Sequence, residues 1–283
     1  MINDIVRNNN TAIVIVTYNP DRVFREVLNR CRELCENIVI VDNGSKNISE
    51  WNYLLTTRET IIINKQNLGI AEALNEGIQS ALKLNIEWIL TLDQDSIPCR
   101  DIFQLYSEIL KKETGKINKI GLIGASYTDS KIKTEISYKR SLTLITSGLL
   151  HNISIFEDTG FYNSSYFIDY VDFEFSLRCN VKGYITYRIE RKVLNHSLGN
   201  PKKKKFLIWN LQSTNHSAFR RYYMVRNTIW TSRLYWRYYP RIILIKNFHM
   251  LKSIILMMLV DDHKITKIRR IFKGFVDGYK KIK

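Results

Sequence analysis

Trp88-Ile89-Leu90-Thr91-Leu92-Asp93-Gln94-Asp95-Ser96 is the stretch that decides how the chain is read. An apolar run with a β-branched component reads as a buried strand, and this one ends in two carboxylates two positions apart. In open α/β sheets, ligands bind at the carboxyl edge of the strands. Carboxylates so close repel each other unless a cation lies beside them. Hard divalent cations take oxygen ligands, and Mg2+ commonly combines one or two carboxylates with substrate phosphates. Asp93-Gln94-Asp95 therefore suggests a metal–diphosphate site. A loop with two solvated aspartates has the same spacing, so the surrounding sequence has to decide.

Strand and helix patterns alternate on both sides of this stretch. Thr11 to Thr17, Ile38 to Val41 and Ile61 to Ile63 read as strands. Helical spacing runs through Asp21 to Glu36, Ile70 to Leu84 and Ile102 to Leu110, with a short helix over Glu50 to Leu55. This alternation predicts an α/β fold with a mostly parallel sheet and flanking helices. Shorter strands are expected at Ile120 to Tyr127, Thr134 to Tyr138 and Leu142 to Thr146, and a helical segment at Ile168 to Cys179. Three helices are expected near His216 to Tyr238, Pro240 to Leu259 and Lys264 to Lys281.

The 283 residues, 45% hydrophobic and 25% charged, suit one large domain with an appendage. The charge is uneven: residues 201–283 hold 20 Lys and Arg against 3 Asp and Glu, while the first 200 hold 23 against 24. A boundary near Asn200-Pro201 is expected, giving domains 1–200 and 201–283. The basic excess points to an anionic partner, membrane surface or nucleic acid. The four cysteines have no metal-ligand spacing and read as free thiols, Cys31 and Cys35 on one helix. No signal peptide is expected, and no run of about 18 uninterrupted apolar residues predicts a membrane-spanning helix.

There is no G-x-G-x-x-G after the first strand and no P-loop, which lowers the case for those nucleotide sites. Instead, three strand ends carry polar groups: Thr17-Tyr18-Asn19-Pro20, Asp42-Asn43-Gly44-Ser45 and Asp93-Gln94-Asp95. Each alone would be an ordinary turn. Together they suggest one site, with an aromatic able to stack a base and an aspartate able to accept from a base N–H.

Thr17-Tyr18-Asn19, Val41-Asp42-Asn43-Gly44-Ser45, Asn67-Leu68-Gly69 with Asn75 and Gly77, and Asp93-Gln94-Asp95 resemble, in order, the family 2 glycosyltransferases, inverting enzymes of the GT-A fold. The resemblance covers roughly residues 11–200. Arg221-Tyr222-Tyr223-Met224-Val225-Arg226-Asn227 resembles the C-terminal segment of a bacterial rhamnosyltransferase subgroup that builds O-antigens and other surface polysaccharides. The resemblance implies that Asp42 contacts the nucleobase, with Thr17, Tyr18 and Asn19 lining that pocket. Asn67 and Gly69 would border the donor, Asp93 and Gln94 would lie on its ribose side, and Asp93 and Asp95 would hold Mg2+ or Mn2+. His196, 24 residues after Asp172, falls where related enzymes place a further metal ligand. Ser147-Gly148 falls at an acceptor-side loop, though a plain turn reads equally well.

An inverting transfer also needs a carboxylate to take the acceptor's proton. Asp169, Asp172 and Glu174 are the candidates. The resemblance selects Asp172, counted back from Leu177-Arg178, with Asp169 still open. The implied donor is dTDP-L-rhamnose, or alternatively a UDP-hexose or UDP-galactofuranose, and the implied acceptor a saccharide or lipid-linked saccharide. In the C-terminal third, arginines interleave with Tyr and Trp. This suits an anionic membrane interface, a homodimer, or both, and implies a cytoplasmic location at the inner face of the bacterial plasma membrane. A nucleic-acid-binding reading would use the same basic third but gives no role to Asp42, Asp93, Asp95 and Asp172. No nucleic-acid partner is therefore expected.

Overall fold

The structure, a computed structural model, describes residues 4–127, 136–196, 202–206 and 209–280. Its contacts cluster in two units: Met1–Ser164 with Asp172–Ser197, and Ser165–Val171 with Leu198–Lys283.

The first unit is built on β1 (Thr11–Thr17), buried at every position as expected of a parallel strand covered on both faces. It is followed by α1 (Val23–Leu34), β2 (Asn37–Asp42), β3 (Glu59–Ile63), α2 (Ile70–Ala81) and β4 (Trp88–Asp93). α1 buries Phe24, Val27, Leu28 and Cys31, the i, i+3, i+4, i+7 stripe that packs a helix onto a sheet. α2 lies closer still: a Cβ on Gly77 would come 2.4 Å from Val14 Cγ1, so no larger residue fits there.

Next come β5 (Ser96–Pro98), α3 (Ile102–Lys112), β6 (Ile120–Ser126), β7 (Tyr138–Arg140), β8 (Leu149–Asn152), α4 (Ile155–Thr159), α5 (Val171–Val181), β9 (Ile185–Lys192) and β10 (Leu194–His196). The main sheet has the order β3-β2-β1-β4-β8-β6-β9-β7. β1 to β4 are parallel, β8 runs antiparallel between β4 and β6, and β9 is parallel to β6. The sheet is a mixed, mostly parallel one flanked by helices, GT-A-like as expected. The chain winds from β1 outward to β3, then crosses to β4 on the other side of β1. That reversal is the kind of topological switch at which α/β sheets bind ligands.

Several expected elements differ. Glu50 to Leu55 forms two short 3-10 turns, Ile48–Glu50 and Asn52–Leu54. The strand expected at Leu142 to Thr146 is absent, and β8 begins at Leu149 instead. Leu144 fills the space over Gly124, and the Thr91 hydroxyl donates to Thr146 O at 2.6 Å, so these residues cover the sheet rather than join it. The strand expected at Thr134 to Tyr138 lies partly outside the described residues, and β7 starts at Tyr138. β9 was not foreseen, because Arg188, Glu190, Arg191 and Lys192 obscure its buried Thr186, Tyr187 and Ile189. The four cysteines are free, with Cys31, Cys35 and Cys179 buried.

The second unit contains the β11–β12 hairpin (Lys202–Phe206 and Trp209–Ser213) and the helices α6 (Ala218–Tyr235), α7 (Pro240–Val260) and α8 (Lys264–Gly278). Asp261 is buried and ties the helices through Lys267 at 2.8 Å and Arg221 at 3.5 Å. Burial would raise its carboxyl, but hydrogen bonds from Lys267 and Ser213 outweigh that and hold it below the ordinary range. By length and composition α7 could cross a membrane: mean hydropathy reaches 1.7 over an 18-residue window, of which 11% is buried. The expectation of no such helix rested on uninterrupted apolar runs, which Lys246, Asn247, His249 and Lys252 break.

Candidate active site

The strand register brings three polar ends together. Thr17 pairs with Asp42, and Val16 with Asp93, so β1, β2 and β4 end at one level. Asp42 is buried; its Oδ1 accepts from the Thr17 hydroxyl at 3.1 Å and its Oδ2 from Ser45 N at 2.9 Å. A base N–H reaching Asp42 would use a remaining lone pair. Asn19 adopts φ 47°, its N–H donating to Ser45 Oγ at 2.7 Å and its Oδ1 accepting from Lys46 N at 2.8 Å. These bonds join the loops after β1 and β2, beside the exposed Tyr18 ring.

Asn43 extends the network. Its Oδ1 accepts from Leu68 N at 2.9 Å, and its Nδ2 donates to Asn67 Oδ1 and Gly69 O, each at 3.2 Å. Gly69, at φ 89°, opens α2. Gly44 sits at φ 80°, and a Cβ there would lie 2.5 Å from the Gln66 carbonyl carbon. The Asp42-Asn43-Gly44-Ser45 sequence thus builds a rigid shelf between β2 and α2. Asn75 of α2 grips another loop, donating to Tyr162 O at 2.8 Å and accepting from Tyr162 N at 2.9 Å.

Asp93, Gln94 and Asp95 are half-buried. The Gln94 side chain accepts from Tyr18 N at 2.7 Å and donates to Tyr18 O at 3.3 Å, fastening this tripeptide to the loop after β1. Gln94 therefore joins the end of β4 to the loop after β1. Asp93 N donates to Ser147 Oγ at 3.1 Å, so Ser147, just before β8, supports the tripeptide. Tyr127, just beyond β6, completes the group. Burial raises its phenol above the ordinary value and the Asp93 charge adds to this, against hydrogen bonds with Ser96 and Ser147. Tyr127 was missed in the sequence, although an aromatic following a strand end repeats the Thr17-Tyr18 pattern.

Carboxylates beside hydroxyls form an all-oxygen donor set, which fits a hard divalent cation. Among the described residues, no three His, Cys, Asp or Glu side chains gather as a metal cluster. The His196 side chain lies outside the described residues; its backbone pairs with Ser96, next to Asp95.

Of the candidate proton acceptors, Asp169 is held by Arg220, whose Nε and Nη2 reach its carboxylate at 3.0 and 2.9 Å. Glu174 is held by Arg178, with Nε to Oε1 at 3.1 Å and Nη2 to Oε2 at 2.7 Å. Arg178 also donates to Thr159 O and Phe161 O, so this pair braces the loop after α4. Asp172 lies in the first turn of α5, its Oδ1 accepting from Phe173 N at 2.8 Å.

Near Asp172 lies a buried pair absent from the sequence reading. The Tyr162 phenol is raised far above its ordinary value by burial and then by the Asp172 charge. Its hydroxyl is 2.7 Å from His151 Nε2, and His151 Nδ1 is 3.0 Å from Ile89 O. A carbonyl only accepts, so Nδ1 carries the proton and Nε2 accepts from Tyr162. Burial lowers the His151 pKa from 6.5 to about 4. Between these values the unfolded chain binds a proton that the folded chain refuses, so stability falls as pH drops through this window. The loss should reach about 3 kcal/mol. Denaturant titrations from pH 7 to pH 4 of the parent and His151→Gln check it; parallel stability curves would refute it.

A switch-point edge lined by a buried aspartate, an exposed aromatic and an Asp-Gln-Asp tripeptide is of the kind expected in an α/β enzyme that binds a ligand at its strand ends. Residues 12–157 match glycosyl transferase family 2, and the chain belongs to that family. It is 30% identical over 237 residues to the dTDP-rhamnosyl transferase RfbF of Shigella flexneri, covering 78% of this chain and 79% of that one. Among solved structures, GalNAc-T7 with UDP, GalNAc and Mn2+ superposes with a TM-score of 0.58 and 15% identity, over 82% of this chain and 49% of that one. Staphylococcus aureus TarS 1-349 in complex with UDP-GlcNAc gives a TM-score of 0.51 and 11% identity, over 95% of this chain and 72% of that one. The chain is a sugar transferase that takes a nucleotide-sugar donor and a saccharide acceptor.

Proposed function

We propose that the chain transfers a hexose or furanose sugar from a pyrimidine nucleoside diphosphate to a saccharide, inverting the anomeric centre. The observation that carries this is the convergence of Thr17, Asp42 and Asp93 at one level of the sheet, fastened by Gln94 and Asn43. The base lies between the Tyr18 ring and Asp42, and Asp93 and Asp95 face the diphosphate. These two carboxylates would hold Mg2+ or Mn2+, whose charge offsets that developing on the leaving group. Asp172 takes the proton of the acceptor hydroxyl as that oxygen attacks the anomeric carbon opposite the departing diphosphate. The place of Asp172 in the first turn of α5, beside the buried Tyr162 phenol, and its position ahead of Leu177-Arg178 support it for this task.

A UDP-sugar is the better supported donor, since the solved relatives carry UDP or UDP-GlcNAc. dTDP-L-rhamnose is the second reading, favoured by the name of the Shigella relative. Uracil and thymine present the same hydrogen-bonding edge to Asp42, so the 5-methyl group and the ribose 2′-hydroxyl must separate them. A thermal-shift panel of UDP- and dTDP-sugars with Mn2+ should give one clear stabiliser from these two sets. Equal responses to purine nucleotide sugars would overturn the assignment.

The second unit serves an anionic membrane surface on the cytoplasmic side. α7 exposes Leu244, Phe248, Leu251, Ile255 and Met258, and α8 exposes Ile265, Ile268, Phe272 and Phe275. The few acids nearby include Asp261 and Asp277, both in ion pairs, which leaves the basic excess to meet lipid phosphates. The protein should sediment with phosphatidylserine vesicles, leave them as salt rises, and fail to bind as Phe248→Glu/Phe272→Glu. A protein that stays in the supernatant at every anionic fraction but dimerises would assign these faces to a second copy.

A further inference from the structure

The seven residues Ser165–Val171, which lead straight into Asp172, cluster with the C-terminal unit. Three of them adopt left-handed conformations: Phe167 at φ 57°, Asp169 at φ 62° and Tyr170 at φ 68°. Positive φ is an outlier for bulky side chains, and such strain persists only where the surroundings over-determine it. Here the surroundings are one face of α6. Asn227 Nδ2 is 2.8 Å from each of Tyr166 O, Ile168 O and Asp169 O. Arg226 donates to Ser165 O at 2.5 Å and, through two nitrogens at 3.0 and 2.8 Å, to Asn227 Oδ1, which fixes the amide's orientation. Arg220 grips the Asp169 carboxylate from two nitrogens. The Tyr166 hydroxyl meets Thr231 Oγ1 at 3.1 Å.

This buried face is polar where a packed helix is ordinarily apolar. Arg226, Asn227, Thr228 and Thr231 are all buried. Aliphatic side chains would bury the same surface without needing partners. What they could not do is hold four of the five carbonyls from Ser165 to Asp169 in an irregular path. The face is thus built for one backbone geometry, and that geometry delivers the start of α5.

We propose that Arg220, Arg226 and Asn227 are positioning residues for Asp172: they lock residues 165–170 in the left-handed path that sets where α5 begins, and so where its first-turn carboxylate stands. This rests on Asp172 being the proton acceptor. It gives the Arg221-to-Asn227 segment a role in the chemistry through the backbone it holds, without contact with donor or acceptor.

The test compares Arg220→Ala, Asn227→Ala, Asp169→Ala, the Arg220→Ala/Asp169→Ala double variant and Asp172→Asn in the full chain. Nucleoside diphosphate release is followed from UDP-glucose and from dTDP-L-rhamnose, using whichever the parent turns over. Misplacement of a reacting group should lower kcat by about 10²-fold in Arg220→Ala and Asn227→Ala. The donor KM and the calorimetric affinity for UDP should stay within about two-fold, the pattern of an interaction lost only in the transition state. The acid limb of the kcat–pH profile should move as Asp172 changes surroundings. Asp169→Ala should match Arg220→Ala, and the double variant should be no worse than either, since the pair acts as a unit. Parental kcat in both single α6 variants, beside an inactive Asp172→Asn, overturns the inference and leaves the base assignment standing. A fall in kcat matched by an equal fall in UDP affinity also overturns it, as general damage to the fold. Asp169→Ala inactive beside a mild Arg220→Ala would make Asp169 the base. Full activity in Asp172→Asn removes the base assignment and the inference with it.

Discussion

Asp172→Asn should lower the rate of sugar transfer by about 10²–10⁴-fold, the range in which a positioned general base contributes. The neighbouring acids make this expectation sharp. Glu174 is two positions on and lies about 200° further round the helix, where it forms a two-point pair with Arg178. Asp169 lies three positions back, in the left-handed segment, paired with Arg220. Neither can substitute without breaking a bidentate ion pair. The carboxamide is isosteric, so the hydrogen bond from Phe173 N can persist at its Oδ1 and the first turn of α5 should survive. Donor affinity is therefore expected to stay within about two-fold of the parent. Calorimetry with UDP and steady-state transfer assays on the same preparation check both halves. Parental turnover in Asp172→Asn would remove this residue from the chemistry.

Asp95→Ala should weaken metal-dependent donor binding by on the order of 10²–10³-fold. A unit charge about 4 Å from another, at an effective dielectric near 20, is worth about 4 kcal/mol. Loss of one carboxylate removes a contribution of that order from the site that offsets the diphosphate. Asp95 lies between Gln94, whose side chain is fastened to the Tyr18 peptide, and the buried Ser96 of β5, so truncation should leave the backbone in place. Titrations of UDP with Mn2+ and with EDTA, in parent and variant, give the result directly. Parental affinity that is the same in both conditions would remove the metal from donor binding altogether.

Much of the first unit was legible because its signals are local. An unbroken run such as Thr11 to Thr17 suits a strand covered on both faces, and the structure buries it throughout. The apolar spacing of α1 and α2 follows from the 3.6-residue turn, so those helices lie within a few residues of their expected limits. The strand ends announced themselves by turn chemistry: Asn43, Gly44 and Gly69 are needed for bonds and left-handed φ values that other residues would not supply. β9 escaped because a strand covered on one side only tolerates charge at alternate positions. Leu142 to Thr146 misled because an apolar run that caps a sheet looks the same as one that joins it.

The sequence by itself determined the alternation of elements, the order of the three polar strand ends and the concentration of positive charge after residue 200. These follow from periodicity and composition, which any chain displays before it folds. It nominated Asp169, Asp172 and Glu174, and only the resemblance, not their chemistry, singled out Asp172, since three acids in six residues look alike. Only tertiary structure decided that two of them are engaged by Arg220 and Arg178, that Gln94 holds the loop after β1, and that Tyr127, Tyr162 and His151 stand where they do. The reason is distance along the chain. Arg220 and Asp169 are 51 residues apart, and Gln94 and Tyr18 are 76 apart. Contacts of that separation leave no local period to read, and exist only once each unit has folded.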